Sequence, residues 1–428
     1  MWQLLGYLRR RCPSRIALSF PMLVSALRSA AAALLLGTGF ACTGLAAPAP
    51  KQAPDLFKQM LGKSDAAIDA KIEASYQQLF HGDPNSQAVY FPAGKDEGYI
   101  EDIANQDVRS EGMSYGMMIA VQMDRRDMFD RLWNWAVRHM RHNSGPRKGF
   151  FAWHCAPDGR VLSPDSASDG EEWFTMALFF AAHRWGHPPG APNYEAEAQS
   201  LLKAMLHKGE EGSPLVTSIF DPVHKEVVFV PKSVFATFTD PSYHLPAFYE
   251  LWSRWASDPA DRKLLREITA TSRAFFHRAA NPDTGLMPDY ASFDGAPVGP
   301  EIHRIFAFDA WRVMANVALD HAWWDADPWQ VAQSNRILRF IASQGPACPN
   351  RFTLDGKPVD REFSPGLLSM AAVGGLAADP ALARVFVQRL WDAPVPSGPF
   401  RYYDGLLHQL ALLEVSGHFR IYEPPAHP

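Results

Sequence analysis

From Pro50 onward the chain alternates two kinds of apolar segment. EGMSYGMMIAVQM, Glu111 to Met123, is apolar on nearly every side, the pattern of a helix buried all round. DMFDRLWNWAVRHM, which follows it, sets Phe129, Leu132, Trp133, Ala136, Val137 and Met140 on one face and Asp130, Arg131, Asn134 and Arg138 on the other. The alternation returns in GEEWFTMALFFAAHRW with YEAEAQSLLKAMLH, and in YHLPAFYELWSRWA with DRKLLREITATSRAFFH. It returns again in AFDAWRVMANVALDHAWW with PWQVAQSNRILRFIAS, and in PGLLSMAAVGGLA with ALARVFVQRLW. Ser64 to Phe80 opens the series and Tyr402 to Ser416 closes it, so the pattern predicts about twelve helices. Inner and outer helices in turn predict six α-hairpins closed into an all-α (α/α)6 barrel, with long Gly-, Pro- and Asp-rich loops between pairs. KEVVFV, Lys225 to Val230, reads as a short strand within one of those loops. No break in composition divides residues 51–428, which read as one domain.

The first fifty residues follow other rules. Arg9, Arg10, Arg11 and Arg28 precede SAAAALLLGTGFACTGLAAPAP, a positive region, a short apolar run and small residues, which is the layout of a secretory signal over residues 1–50. The body is therefore expected to be secreted or periplasmic. An uncleaved anchor is the alternative, and Cys42 lacks the Leu three residues earlier that a lipidated cysteine calls for. Beyond this segment only Cys155 and Cys348 remain, too few for a disulfide framework, and their spacing leaves open whether they pair. Without a C-x-x-C or a clustered His set, no metal is expected.

Composition narrows the chemistry. A formal net charge of −5 with no basic run excludes a nucleic-acid surface. Aromatic residues reach 12%, with 13 Trp; they fill cores, and they also supply the flat faces on which sugars stack. Three acids open or closely precede helices that are apolar all round: Glu111, Asp169 and Asp309. Each has a structural reading. Ser168-x-x-Glu171 has the form of a capping box, Asp169 beside it suits the positive end of a helix, and Glu111 is a first-turn acid. The other reading is catalytic, because carboxyl groups facing each other across an aromatic cleft fit glycoside hydrolysis. One must keep its proton for the leaving oxygen while the other stays ionised. For Glu111 the helix N-terminus opposes that role, so burial and neighbouring acids must raise its pKa by more than the helix lowers it.

DVRSEGMSYGMMIAVQMDRRDMFDRLWNWA, SDGEEWFTMALFFAAHRWG, FTDPSYHLPAFYELW, FAFDAWRVMANVALD and RYYDGLLHQLALLEVSGHFRIY resemble glycoside hydrolase family 8, from about Asp55 to Tyr422. Within that family they are most similar to the reducing-end xylose-releasing exo-oligoxylanases. The resemblance implies an (α/α)6 barrel, inversion at the anomeric carbon, β-1,4-linked substrates and no cofactor. It makes Glu111 the general acid, Asp309 the general base and Asp169 the residue that holds the sugar beside the scissile bond. Arg312 corresponds to an arginine near the catalytic water, and Trp153 and Tyr403 to aromatic platforms. Tyr115, Trp173, Tyr243 and His244 are further binding candidates by motif position, with core packing as the alternative for each aromatic.

The implied partner is a xylo-oligosaccharide, and a monomer is the expected state. One departure bears on the cutting position. In the exo-acting branch a Leu-His-Pro loop closes the cleft, and here Glu362, Phe363 and Ser364 stand in its place. An endo-acting xylanase, or a periplasmic endo-β-1,4-glucanase of the same family, is therefore the alternative enzyme. A sugar-binding barrel without chemistry is the alternative class, and retention of all three acids speaks against it.

Overall fold

Helix hairpins that bury one member completely must curl around each other, because an all-apolar helix has no face to leave in water. The computed structural model, which describes residues 49–425 except 188 and 191, has this arrangement. The export segment and its cysteines Cys12 and Cys42 lie outside the described residues.

After a short α1 (Leu56–Leu61), twelve helices form two layers. The outer layer is α2 (Asp65–His81), α4 (Arg126–Trp135), α6 (Tyr194–His207), α8 (Pro259–Ala279), α10 (Trp329–Ser343) and α12 (Pro380–Asp392). The inner layer is α3 (Ser110–Gln122), α5 (Ser168–Trp185), α7 (Pro246–Trp255), α9 (Val313–Trp324), α11 (Pro365–Gly374) and α13 (Arg401–Val415). Outer α8 buries Leu265, Ile268, Thr269, Ser272, Phe275, Phe276 and Ala279, a single stripe. Inner α5 buries every residue from Ser168 to Ala182. Neighbouring inner helices touch around the ring, with Trp173 of α5 edge-on to Phe248 of α7 at 5.1 Å, and α13 closing it against α3. The sixth pairing is not a hairpin: outer α2 packs on inner α13, so the first and last long helices complete the barrel together.

Local signals set the helix ends. The Ser64 side chain accepts from the Ala67 N–H at the start of α2, and Asp258 and Ser364 cap α8 and α11 ahead of Pro259 and Pro365. Lys225 to Val230 forms no strand. Val227, Val228 and Phe229 are buried, but Lys225 takes a left-handed turn and Phe220 with Val227 makes one isolated bridge, so no ladder extends. Cys155 and Cys348 are both free and buried, and burial pushes their thiols up to about 12 and about 11.

Two small sheets brace one mouth of the barrel. β1 (Tyr90–Ala93) pairs antiparallel with β2 (Glu97–Ile100). β3 (Val108–Arg109) pairs with β4 (His154–Cys155), which pairs with β5 (Val161–Ser163). The Ser110 N–H donates to the Trp153 carbonyl at 3.0 Å, so the first residue of α3 is tied to this sheet. There α3 and α5 approach so closely that a Cβ on Gly170 would lie 2.4 Å from Ser110 Oγ and 3.2 Å from its carbonyl carbon. Replacing Gly170 by Ala must push these helix starts apart. Gly170→Ala is expected to destabilise the protein by about 1–3 kcal/mol, read in denaturant melts, and to lower turnover by more than the change in folded fraction explains.

Candidate active site

In α3 every residue but Glu111 is buried, and Glu111 keeps 18% of its side chain exposed. Its Oε2 accepts from Arg312 Nη1 at 3.1 Å and its Oε1 from the Tyr402 hydroxyl at 3.1 Å. Asp169, in the first turn of α5, is buried; its Oδ2 accepts from the same Arg312 nitrogen at 3.1 Å. Asp309 opens the 3-10 turn Asp309–Arg312 that leads into α9. It is 24% exposed, and its Oδ1 lies 3.4 Å from Arg312 Nη2. Three residues separated by up to 198 positions in the sequence thus meet on one guanidinium.

Burial moves two of these carboxyl groups in the same direction. Burial raises Glu111 most, Arg312 opposes it, and the charges of Asp169 and Asp309 add to the rise, so the group titrates at about 7. Burial likewise raises Asp169 against the pull of Arg312. The opposition between helix start and burial is therefore resolved in favour of burial, and Glu111 retains its proton into the neutral range.

The Ser168–Glu171 capping box does not form, while Asp169 does stand in the first turn of α5. Ala167 occupies the N-cap of α5 without a side-chain bond, and Ser168 Oγ has no partner. Glu171 instead accepts from the Phe151 N–H at 2.8 Å, in the chain just before β4.

The predicted binding residues divide. The Tyr115 hydroxyl accepts from Arg312 Nη1 at 2.8 Å, and its ring meets Trp173 edge-on at 4.8 Å. The Tyr243 ring lies 5.6 Å from the Arg312 guanidinium and the Tyr403 ring 6.0 Å from it. Tyr403 also donates to the Phe308 carbonyl at 2.9 Å, and Phe308 beside the candidate base is exposed. Trp153 is partly exposed, stacked on His154 at 4.5 Å and 6.0 Å from the Arg109 guanidinium. Trp173 is wedged between Tyr115 and Phe248 and lines a cavity with Tyr115, Ser242 and Arg312. His244 lies in the core, on the side of its turn away from the cleft-facing Ser242. It is fully buried, stacked flat on Phe275 at 4.0 Å, bonded to Thr239 Oγ1 and Ser272 Oγ, and burial holds its pKa well below the usual histidine range.

Other contributors were not singled out by their motifs. Tyr402 orients Glu111, although it adjoins Tyr403 in RYYDG. Ser242, in the turn Pro241–Tyr243, accepts from Arg312 Nη2 at 2.8 Å. Asp240 and Asp289 are buried carboxyl groups near the candidate base, both held well above the usual range, by burial first and Asp309 second.

A model of the glycosyl hydrolases of family 8 matches residues 95–417. The chain belongs to this family. The reducing-end xylose-releasing exo-oligoxylanase Rex8A of Paenibacillus barcinonensis is 46% identical over 371 residues, 85% of this chain and 95% of that protein. Its solved complex with xylose superposes with a TM-score of 0.82 at 45% identity, covering 87% of this chain and 98% of that one. A family 8 xylobiose complex from Teredinibacter turnerae superposes at 0.83 with 40% identity, again over 87% and 98%. This family 8 glycoside hydrolase therefore shares the (α/α)6 barrel with them.

The displaced titration of Glu111 has a sign that can be checked. A carboxyl group whose folded pKa lies above its unfolded value stabilises the fold fully below the unfolded pKa and loses that contribution as pH rises through about 7. Glu111→Gln, which has no charge to bury, is expected to raise the melting midpoint relative to the parent more at pH 8 than at pH 5. Equal shifts at both pH values count against a proton-holding Glu111.

Proposed function

We propose that this family 8 enzyme hydrolyses β-1,4-xylosidic bonds of xylo-oligosaccharides with inversion, releasing xylose from the reducing end. The observation that carries the mechanism is the meeting of Glu111, Asp169 and Asp309 on Arg312, with Glu111 partly open to solvent and titrating at about 7. The substrate rests on relatives 42–46% identical whose names state that reaction.

Glu111 gives its proton to the glycosidic oxygen as the bond to the anomeric carbon breaks. Water attacks that carbon from the opposite side, and Asp309 takes the proton it loses. Asp169, against Arg312, holds the sugar whose bond is cut. Inversion needs room for that water, with carboxyl groups roughly 6.5–9.5 Å apart. Contacts of 3.1 Å and 3.4 Å on two nitrogens of one rigid guanidinium keep the Glu111 and Asp309 oxygens within about 9 Å of each other. Retention would require about 5 Å, which the same bound admits, so the anomeric configuration of the first product decides between the two.

Export to the periplasm or medium, over residues 1–50, belongs to the same proposal and suits an enzyme for sugars too polar to cross a membrane unaided. The cutting position has a second reading with its own observation. Ser364 is used up as the cap of α11, donating to Asp404 at 2.6 Å, and Glu362 and Phe363 are exposed. Nothing of imidazole character stands in that tripeptide to hold a leaving-side sugar, which favours a more open, endo-acting cleft.

Xylohexaose carrying heavy oxygen at its reducing end separates the two readings. Early release of fully tagged xylose alone is the expected result; tagged and untagged fragments of mixed length point to endo action, and cleavage of soluble glucan without xylan replaces the substrate class. Asp309→Asn and Glu111→Gln are each expected to lower kcat by about 100- to 10,000-fold, while Asp309→Asn binds xylotriose as the parent does in calorimetry.

A further inference from the structure

Asp289 lies outside every motif used above, yet it is built into the support of Asp309. Its Oδ1 accepts from the Ala310 N–H at 3.2 Å, and its carboxyl group also receives the Ala307 N–H. These amides flank Asp309 on both sides. The Asp289 N–H donates to the Ile305 carbonyl at 3.0 Å and the Tyr290 N–H to the His303 carbonyl at 2.9 Å, so the chain leading to Asp309 is stitched to the segment that carries Asp289.

We propose that Asp289 is a positioning residue for the general base: as a neutral carboxylic acid it clamps the peptide on either side of Asp309 and adds no negative charge beside it. This rests on the reading of Asp309 as the base.

The neutrality follows from its surroundings. Asp289 is 2% exposed, and among the described residues no Lys or Arg forms an ion pair with it. The groups facing it are Asp309 and Arg312 from the turn before α9, Asp240 from the turn before α7, His303, and the neighbouring Tyr290. His303 Nδ1 stands 3.5 Å from Asp289 Oδ2, stacked on Tyr290 at 4.2 Å, and burial lowers its pKa, so it brings no cation. Arg312 is already shared among Glu111, Asp169 and Asp309. An ionised Asp289 would leave a buried charge without a counter-ion and would make Asp309 harder to ionise. The clamp needs only an oxygen acceptor, and the loop needs one because Asp309 must stand back far enough to admit water.

The test compares Asp289→Ala with Asp289→Asn on xylotriose, with melting curves for both. Asp289→Ala removes the acceptor and is expected to lower kcat by about 100-fold, the usual result of a displacement near 1 Å, with KM little changed. Asp289→Asn keeps the oxygen and is expected to restore most of that loss, with the acidic limb of its kcat/KM profile unmoved from the parent's. If the Ala variant does not fold, the Asn variant alone carries the test. Wild-type kcat in a folded Asp289→Ala, an Asn variant no better than Ala, or an acidic limb displaced by the Asn substitution would overturn the proposal. A fully active Asp309→Asn would instead remove the base assignment itself. An inactive Asp309→Asn beside a fully active Asp289→Ala sinks only the clamp.

Discussion

A single buried guanidinium governs the barrel mouth. Arg312 is almost without solvent, and it reaches Glu111, Tyr115 and Asp169 with one nitrogen and Ser242 and Asp309 with another. A cation so placed costs several kcal/mol of lost hydration, which only closely held anions offset. The converse also holds. Several acids crowd around one positive charge, so they cannot all ionise at little cost. Glu111 keeps its proton to about 7, and Asp240 and Asp289 are held well above the usual carboxylate range. The raised acids around Arg312 thus owe their protons to burial first, with the neighbouring carboxyl groups adding to it.

The barrel brings this about by gathering helix starts at one end. Glu111 and Asp169 sit in the first turns of α3 and α5, and Asp309 and Arg312 in the turn that feeds α9. A helix start favours an anion by roughly 0.3–1 kcal/mol. The displacement of Glu111 from 4.5 to about 7 corresponds to about 3 kcal/mol in the other direction, so desolvation wins. Close approach makes that desolvation possible. A Cβ on Gly112 would fall 2.4 Å from the Tyr402 ring, whose hydroxyl orients Glu111, and Gly170 lets α3 and α5 touch.

The helical pattern was legible because burial on all sides and burial on one face leave different marks on a sequence. Shorter signals failed where tertiary contacts competed for the same groups. Glu171 has the spacing of a capping box but bonds to Phe151, twenty positions away. Lys225 to Val230 is apolar and β-branched yet finds no continuous partner strand. His244, next to Tyr243 in one motif, points into the core against Phe275. Adjacent residues in a turn face opposite ways, and motif position does not say which one faces the cleft. Tyr402 and Tyr403, at the start of α13, show the converse: both reach the site, one to orient Glu111 and the other to hold the loop at Phe308.

The sequence by itself determined the layered all-α architecture, the family, and the three acids from which the site is made. Periodicity and long motifs are local, and they survive without knowledge of what packs where. Only the tertiary structure decided that Glu111, Asp169 and Asp309 share Arg312, that α2 closes the ring on α13, and which carboxyl groups burial holds above the usual range. Those outcomes depend on distances between residues up to hundreds of positions apart and on the water excluded between them, and neither quantity is written in any one segment of the chain.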